Sequence, residues 1–182
     1  MDENRNTEVD YNASFEKISG LNTLVEETFD SAENSQNGDL YNKNGKINAE
    51  LLVKNAKILL AAGDTKLAKD VFKALIENGE MLGVAYSGLG SCFEMENKVD
   101  LAIKSYRESI IYEPSYGSLS ALAELYIKKT DFNNAAGTLL RAQNLPRISE
   151  RQMFDIHKNL GNCYMHLGQL NNAEAHYRKA YN

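Results

Sequence analysis

The residues with reactive or ligand-binding potential are few: three histidines, two cysteines and one closely spaced glycine pair. His157 takes the position that earlier blocks of the chain fill with Leu52, Tyr86 and Leu119, so it reads as a packing residue. His166 and His176 are assigned to different helices and to outer faces. His-Glu-x-x-His, Gly-x-Ser-x-Gly and phosphate-loop patterns do not occur in the sequence. Cys92 and Cys163 share one repeating column, two residues beyond a small glycine, where a buried thiol is expected. Two repeats separate them, too far for a disulfide, and their spacing is neither a metal nor a redox motif. Gly88-Leu89-Gly90 looks like a glycine-rich loop but falls inside a helix, where Gly90 provides close packing. The chain therefore reads as non-catalytic, with no metal and no cofactor.

The elements that would position any site follow from an internal repeat. A small residue recurs at Ala56, Gly90, Ala123 and Gly161, at spacings of 34, 33 and 38. A second column, Ala68, Ala102, Ala135 and Ala173, keeps the same spacings. Leu59, Phe93, Tyr126 and Tyr164 lie three residues beyond the first column, and Phe72, Tyr106, Leu139 and Tyr177 four beyond the second. Between them stand Gly63-Asp64, Asn97-Lys98, Thr130-Asp131 and Gly168-Gln169, which suit a turn from one helix to the next. Residues three and four apart share a helix face, and a small residue there admits a neighbouring backbone while large ones fill the grooves beside it. One helix pair cannot bury such a face, so pairs must stack. The pattern predicts helices near 49–62, 65–78, 82–96, 99–112, 116–129, 132–144, 150–167 and 170–181, in pairs spanning 49–82, 83–115, 116–153 and 154–182. The scarcity of proline, present only as Pro114 and Pro146, permits an almost wholly helical chain.

The pattern resembles the tetratricopeptide repeat over about residues 47–182. The match is strongest over 83–114 and 154–181, through Ala85-Tyr86-Ser87-Gly88-Leu89-Gly90, Ala102-Ile103-Lys104-Ser105-Tyr106, the closing Pro114, and Lys158-Asn159-Leu160-Gly161-Asn162-Cys163-Tyr164. Three features depart from it: Asn55 where Leu is usual, weak helix formers at Asn133-Asn134 and Gly137, and an insertion over Leu145–Ser149 that explains the longer spacing. The resemblance implies an all-α, right-handed solenoid of antiparallel helix pairs. It also implies a protein-binding module or scaffold that takes a partner polypeptide on the concave face, lined by the first helix of each pair. Helical spacing then puts Lys54 and Lys57 on that face, followed by Ser87, Ser91, Glu94 and Met95, by Ser120, Glu124 and Ile127 with Lys128, and by Lys158, Asn162 and Met165 with His166. In family members that grip a C-terminal carboxylate, a Lys and an Asn spaced like Lys158 and Asn162 do so. The further repeats that complete such a clamp do not follow here.

Charge and composition bound the rest. Residues 1–45 hold ten acids and three bases, a net −7, and residues 46–182 a net +2, too dispersed to imply nucleic acid as a partner. No apolar run reaches the ~18 residues of a membrane span, and the polar start lacks a secretory pattern, so a cytoplasmic protein is expected. The acidic segment is too polar to order alone. Within it Phe15, Ile18, Leu21, Val25 and Phe29 are spaced as one face of an amphipathic helix over 13–30, interrupted by Gly20. It reads as a transient helix, a cap on the first repeat, or a self-docking segment that competes for the groove. The last pair carries no polar capping element, which leaves self-association through it as an alternative function. A small chaperone similar to those of type III secretion is a further alternative on size, acidic tail and solubility.

Overall fold

The computed structural model describes Asn48 to Tyr181, so the acidic segment 1–45 and the amphipathic helix expected over 13–30 lie outside the described residues. Eight helices occur among them: α1 Ala49–Ala61, α2 Thr65–Glu77, α3 Leu82–Met95, α4 Val99–Tyr112, α5 Tyr116–Lys128, α6 Phe132–Gln143, α7 Glu150–His166 and α8 Leu170–Tyr181. Each predicted helix is present, with ends agreeing to within a residue. The chain divides into two compact units, with the boundary between Met81 and Leu82. The first contains the pair α1–α2, with Ala56, Leu59, Ala68, Val71 and Phe72 buried. The second contains α3 to α8, each packed on the next in chain order, with α5 also touching α7. Its continuous core runs from Ala102, Tyr106 and Ile110 through Leu119, Leu122 and Leu139 to Ile156, Leu160 and Cys163.

The four turns within pairs are built alike. Gly63, Asn97, Thr130 and Gly168 all have positive φ, between 57° and 84°. Their N–H groups reach back to Leu60, Glu94, Ile127 and Met165, and the next residues' N–H groups reach Leu59, Phe93, Tyr126 and Tyr164. This double closure satisfies the last carbonyls of each first helix and reverses the chain. In two of them the following residue then caps the second helix: Asp64 accepts from Leu67 N–H at 3.0 Å and Asp131 from Asn134 N–H at 3.2 Å. Across the inserted loop, Ser149 and Gln152 form a reciprocal capping box that starts α7.

Close approach of the paired helices depends on the small column. A methyl group at Gly90 would sit 2.9 Å from the Tyr106 ring, and one at Gly161 would sit 2.6 Å from the Tyr177 ring. The two pairs with glycine are those in which tyrosine crosses over, and the tyrosine hydroxyl reaches past the glycine to the residue beyond. Tyr106 lies 3.1 Å from the Ser91 hydroxyl and donates to Glu94 at 3.2 Å, while Tyr177 donates to Asn162 Oδ1 at 2.7 Å. In the other pairs the small residue is Ala56 or Ala123 and the large column holds the buried Phe72 or Leu139, which carry no hydroxyl.

His176 does not point outward as the sequence suggested. The antiparallel return of α8 turns the position three residues after Ala173 toward α7. There His176 Nδ1 lies 3.1 Å from His157 Nδ1, and its ring stacks on Tyr164 at 5.3 Å. One ring nitrogen must accept, so at least one imidazole of the pair is neutral. The facing charged group on α8 is Lys179, and α6, packed on α7 from the other side, carries only Arg141. Burial holds both imidazoles below their ordinary value of 6.5; Lys179 adds to this for both, and His157 adds to it for His176.

Three stability predictions follow from this packing. Gly161→Ala is expected to destabilise by about 1–3 kcal/mol, although alanine is the better helix former, because the methyl overlaps the Tyr177 ring. Adding Tyr177→Leu should recover part of that loss in urea unfolding, and a neutral single variant would contradict the packing. Thr130→Gly is expected to stabilise by about 1 kcal/mol, since a β-branched residue is held at φ 58°. The unfolded chain protonates its histidines near 6.5 and the folded chain only at lower pH. The stability that the His157–His176 pair contributes is therefore complete above that value and declines as pH falls through the folded values. His157→Leu should flatten the slope of the urea midpoint between about pH 7 and pH 5; an unchanged slope would show that the pair is not its source.

Candidate groove between α5 and α7

Because the two helices of each pair are antiparallel, the first helices α5 and α7 run in the same direction. They bound a groove of about 710 Å³ lined by Tyr116, Ser120, Glu124, Ile127 and Lys128 of α5, Phe132 at the start of α6, and Asp155, Lys158, Asn159, Asn162, Cys163 and His166 of α7. Each series advances by three or four residues, one stripe of a helix. The start of both helices gives a polar end with Tyr116, Asp155 and Lys158. The far end is apolar and aromatic, because His166 stacks flat on Phe132 at 4.2 Å beside Ile127.

The charges in the groove are mostly spoken for. Lys128 Nζ lies 3.1 Å from Glu94, which also accepts the Tyr106 hydroxyl. Asp155 lies 3.7 Å from Arg151 and 3.9 Å from Lys158, whose ammonium also sits over the Phe154 ring. Glu124 receives only the Ser120 hydroxyl, at 3.5 Å, and has no cationic partner among the described residues. Its charge is felt nearby: burial raises the Tyr116 phenol, with Asp155 and Glu124 adding to the shift. Burial pushes the Tyr106 phenol up to about 12, so it stays a hydrogen-bond donor to Glu94. Cys163 closes the floor of the groove; its thiol is wholly buried and burial raises its pKa, which leaves little of the nucleophilic thiolate. Asn162 spends its carbonyl oxygen on Tyr177, leaving its amide N–H groups free for the groove. Among the described residues no three His, Cys, Asp or Glu side chains cluster closely enough to hold a metal, and no helix is long and apolar enough to cross a membrane.

Of the residues expected on the concave face, Ser120, Glu124, Ile127, Lys158 and Asn162 come together here, with Lys128 and His166. Ser87, Ser91 and Glu94 lie on α3 and are engaged internally: Ser87 accepts from the Ser118 hydroxyl, Ser91 meets Tyr106, and Glu94 holds Tyr106 and Lys128. Met95 and Met165 stand half-exposed outside the lining. Lys54 and Lys57 are exposed on α1, in the other unit. His166, given both an outer face and a place on the concave face by the sequence, lines the groove, held there by its stacking on Phe132. Sequence reasoning missed Tyr116, Phe132, Asp155, Asn159 and Cys163 as lining residues. The three- and four-residue steps from Asn162 back to Asp155 could have found the α7 residues. Nothing in the sequence marks Phe132, which reaches the groove only because the turn after α5 folds back.

Three tetratricopeptide repeat families match the chain, over residues 53–116, 118–149 and 154–181. Comparison with curated proteins gave no significant match. Among solved structures, a crystal structure of MamA is similar at a TM-score of 0.65 and 16% identity, covering 93% of this chain and 90% of that one. MamA from residue 41 to its end, from Desulfovibrio magneticus, gives 0.61 at 17% identity, covering 93% and 90%. PilF of Pseudomonas aeruginosa gives 0.62 at 19%, covering 72% of this chain and 59% of that one. At these identities the likeness concerns the fold. The shared turn geometry, the interlocked small and large columns and the matches along residues 53–181 agree: the chain belongs to the tetratricopeptide repeat family.

Proposed function

We propose that this protein is a non-catalytic interaction module that holds an extended segment of a partner polypeptide in the groove between α5 and α7. Membership of the repeat family supports a protein-interaction scaffold in general. The groove itself carries the finer reading. An extended segment brings unpaired backbone N–H and C=O groups that need partners. The amides of Asn159 and Asn162 and the hydroxyl of Ser120 supply them along the groove wall, while Ile127, Phe132 and His166 offer apolar surface to a side chain. A terminal carboxylate is a poorer fit, since the Lys158 ammonium is already shared with Asp155.

Self-association through the last helix pair has one observation in its favour. In α8 only Ala173 is fully buried, while Leu170 and Tyr181 are 62% and 71% exposed. A sedimentation series over concentration separates the two readings, because a chain that stays monomeric leaves no role for that face between copies.

Asn159→Trp fills the groove without adding charge. Peptides selected from a random display library on the full-length protein should lose binding to this variant, while its helical circular dichroism is unchanged. Selected peptides that bind the variant as tightly as the parent would place the binding surface elsewhere.

A further inference from the structure

Resting on the groove reading above, we infer that the partner segment is basic, and that it carries a large apolar or aromatic side chain two residues from its Lys or Arg. The argument begins with the charges. The lining contributes two acids and two bases, but Lys128 is drawn to Glu94 outside the lining and Lys158 to Asp155 within it. Glu124 is left midway along α5 with a distant hydroxyl as its only partner among the described residues. A cationic side chain is the complement the groove does not itself provide.

The spacing comes from helix and strand geometry. From Glu124 to the Ile127–Lys128 turn of α5, the rise is about 5–6 Å. Two residues of an extended chain cover about 6.5 Å and return to the same face. A side chain two positions from the cation therefore arrives at the apolar end, against Ile127 and the stacked Phe132–His166 pair. Its polar neighbours would meet Ser120, Asn159 and Asn162. The same charges oppose the acidic 13–30 segment as occupant, because that segment carries four acids and one base toward an unmatched carboxylate.

The test uses the full-length protein and fluorescein-labelled Gly/Ser peptides carrying Lys-Ser-Phe, Glu-Ser-Phe or Lys-Ser-Ala, read by fluorescence anisotropy at low salt. The Lys-Ser-Phe peptide should bind about tenfold more tightly than Glu-Ser-Phe, as expected for a partly exposed pair replaced by a repulsion. Glu124→Lys should reverse that order, and Lys-Ser-Ala should bind more weakly than Lys-Ser-Phe. An order unaffected by Glu124→Lys, or no binding by any of the three at about 1 mM, overturns the inference. Asn159→Trp separates the two claims. If it removes binding while charge preference is absent, the groove stands and the basic partner falls; if binding survives it, the groove reading itself falls. Displacement of the labelled peptide by unlabelled peptide 13–30 would make the chain's own acidic segment the occupant and refute the basic one.

Discussion

The second unit of the molecule depends on an interlock between a small residue in one helix and a large side chain from its partner. At Gly90 and Gly161 the fit leaves no room for a methyl group, and an aromatic ring occupies that space. The close approach has two effects. It buries Ala102 and Ala173 at the crossing, so the pair becomes a unit with a defined angle. It also carries the tyrosine hydroxyl past the glycine, where it takes hold of Ser91 and Glu94 in one pair and Asn162 in another. Core packing and groove chemistry are thus joined through the same two side chains. Burial keeps the Tyr106 phenol protonated far above neutrality, so this link is a fixed donor.

A second constraint is the turn. Each reversal uses a left-handed residue, and the chain accepts asparagine and even threonine at two of the four positions. The double hydrogen-bond closure back to the preceding helix outweighs the strain of those residues. It also sets the register that brings Phe132 over the end of α7, where the ring meets His166. The apolar end of the groove is therefore a product of the turn as much as of the two helices that flank it.

The groove has a character that composition would not suggest. Most of the charges along it are matched internally, which leaves one carboxylate, a set of amides and an aromatic wall as its unmatched features. Paired charges on a solvated face contribute little to affinity but do discourage the wrong partner. The histidines illustrate a related point. Equivalent in composition, they end in three settings: His157 buried in the core, His176 against it, and His166 on an aromatic platform in the groove.

Sequence alone determined the helices, their pairing and the repeat, because these follow from local rules: spacing of small and large residues, capping side chains and turn-forming residues act within a few positions of each other. The four small residues and the four alanines of the second column are all buried as their spacing requires. Ser120, Glu124 and Ile127, and likewise Lys158 and Asn162, fall on one stripe of their helix by periodicity, and the repeat-family resemblance set the two stripes on one face; they line one groove. Tertiary structure decided what periodicity cannot: which charges meet across helices, as Lys128 does with Glu94, and which residue becomes a wall of the groove, as Phe132 does. It also turned His176 inward against His157. These contacts join residues far apart in the chain, and they arise only when the packing angle between helices brings particular side chains within a few ångströms.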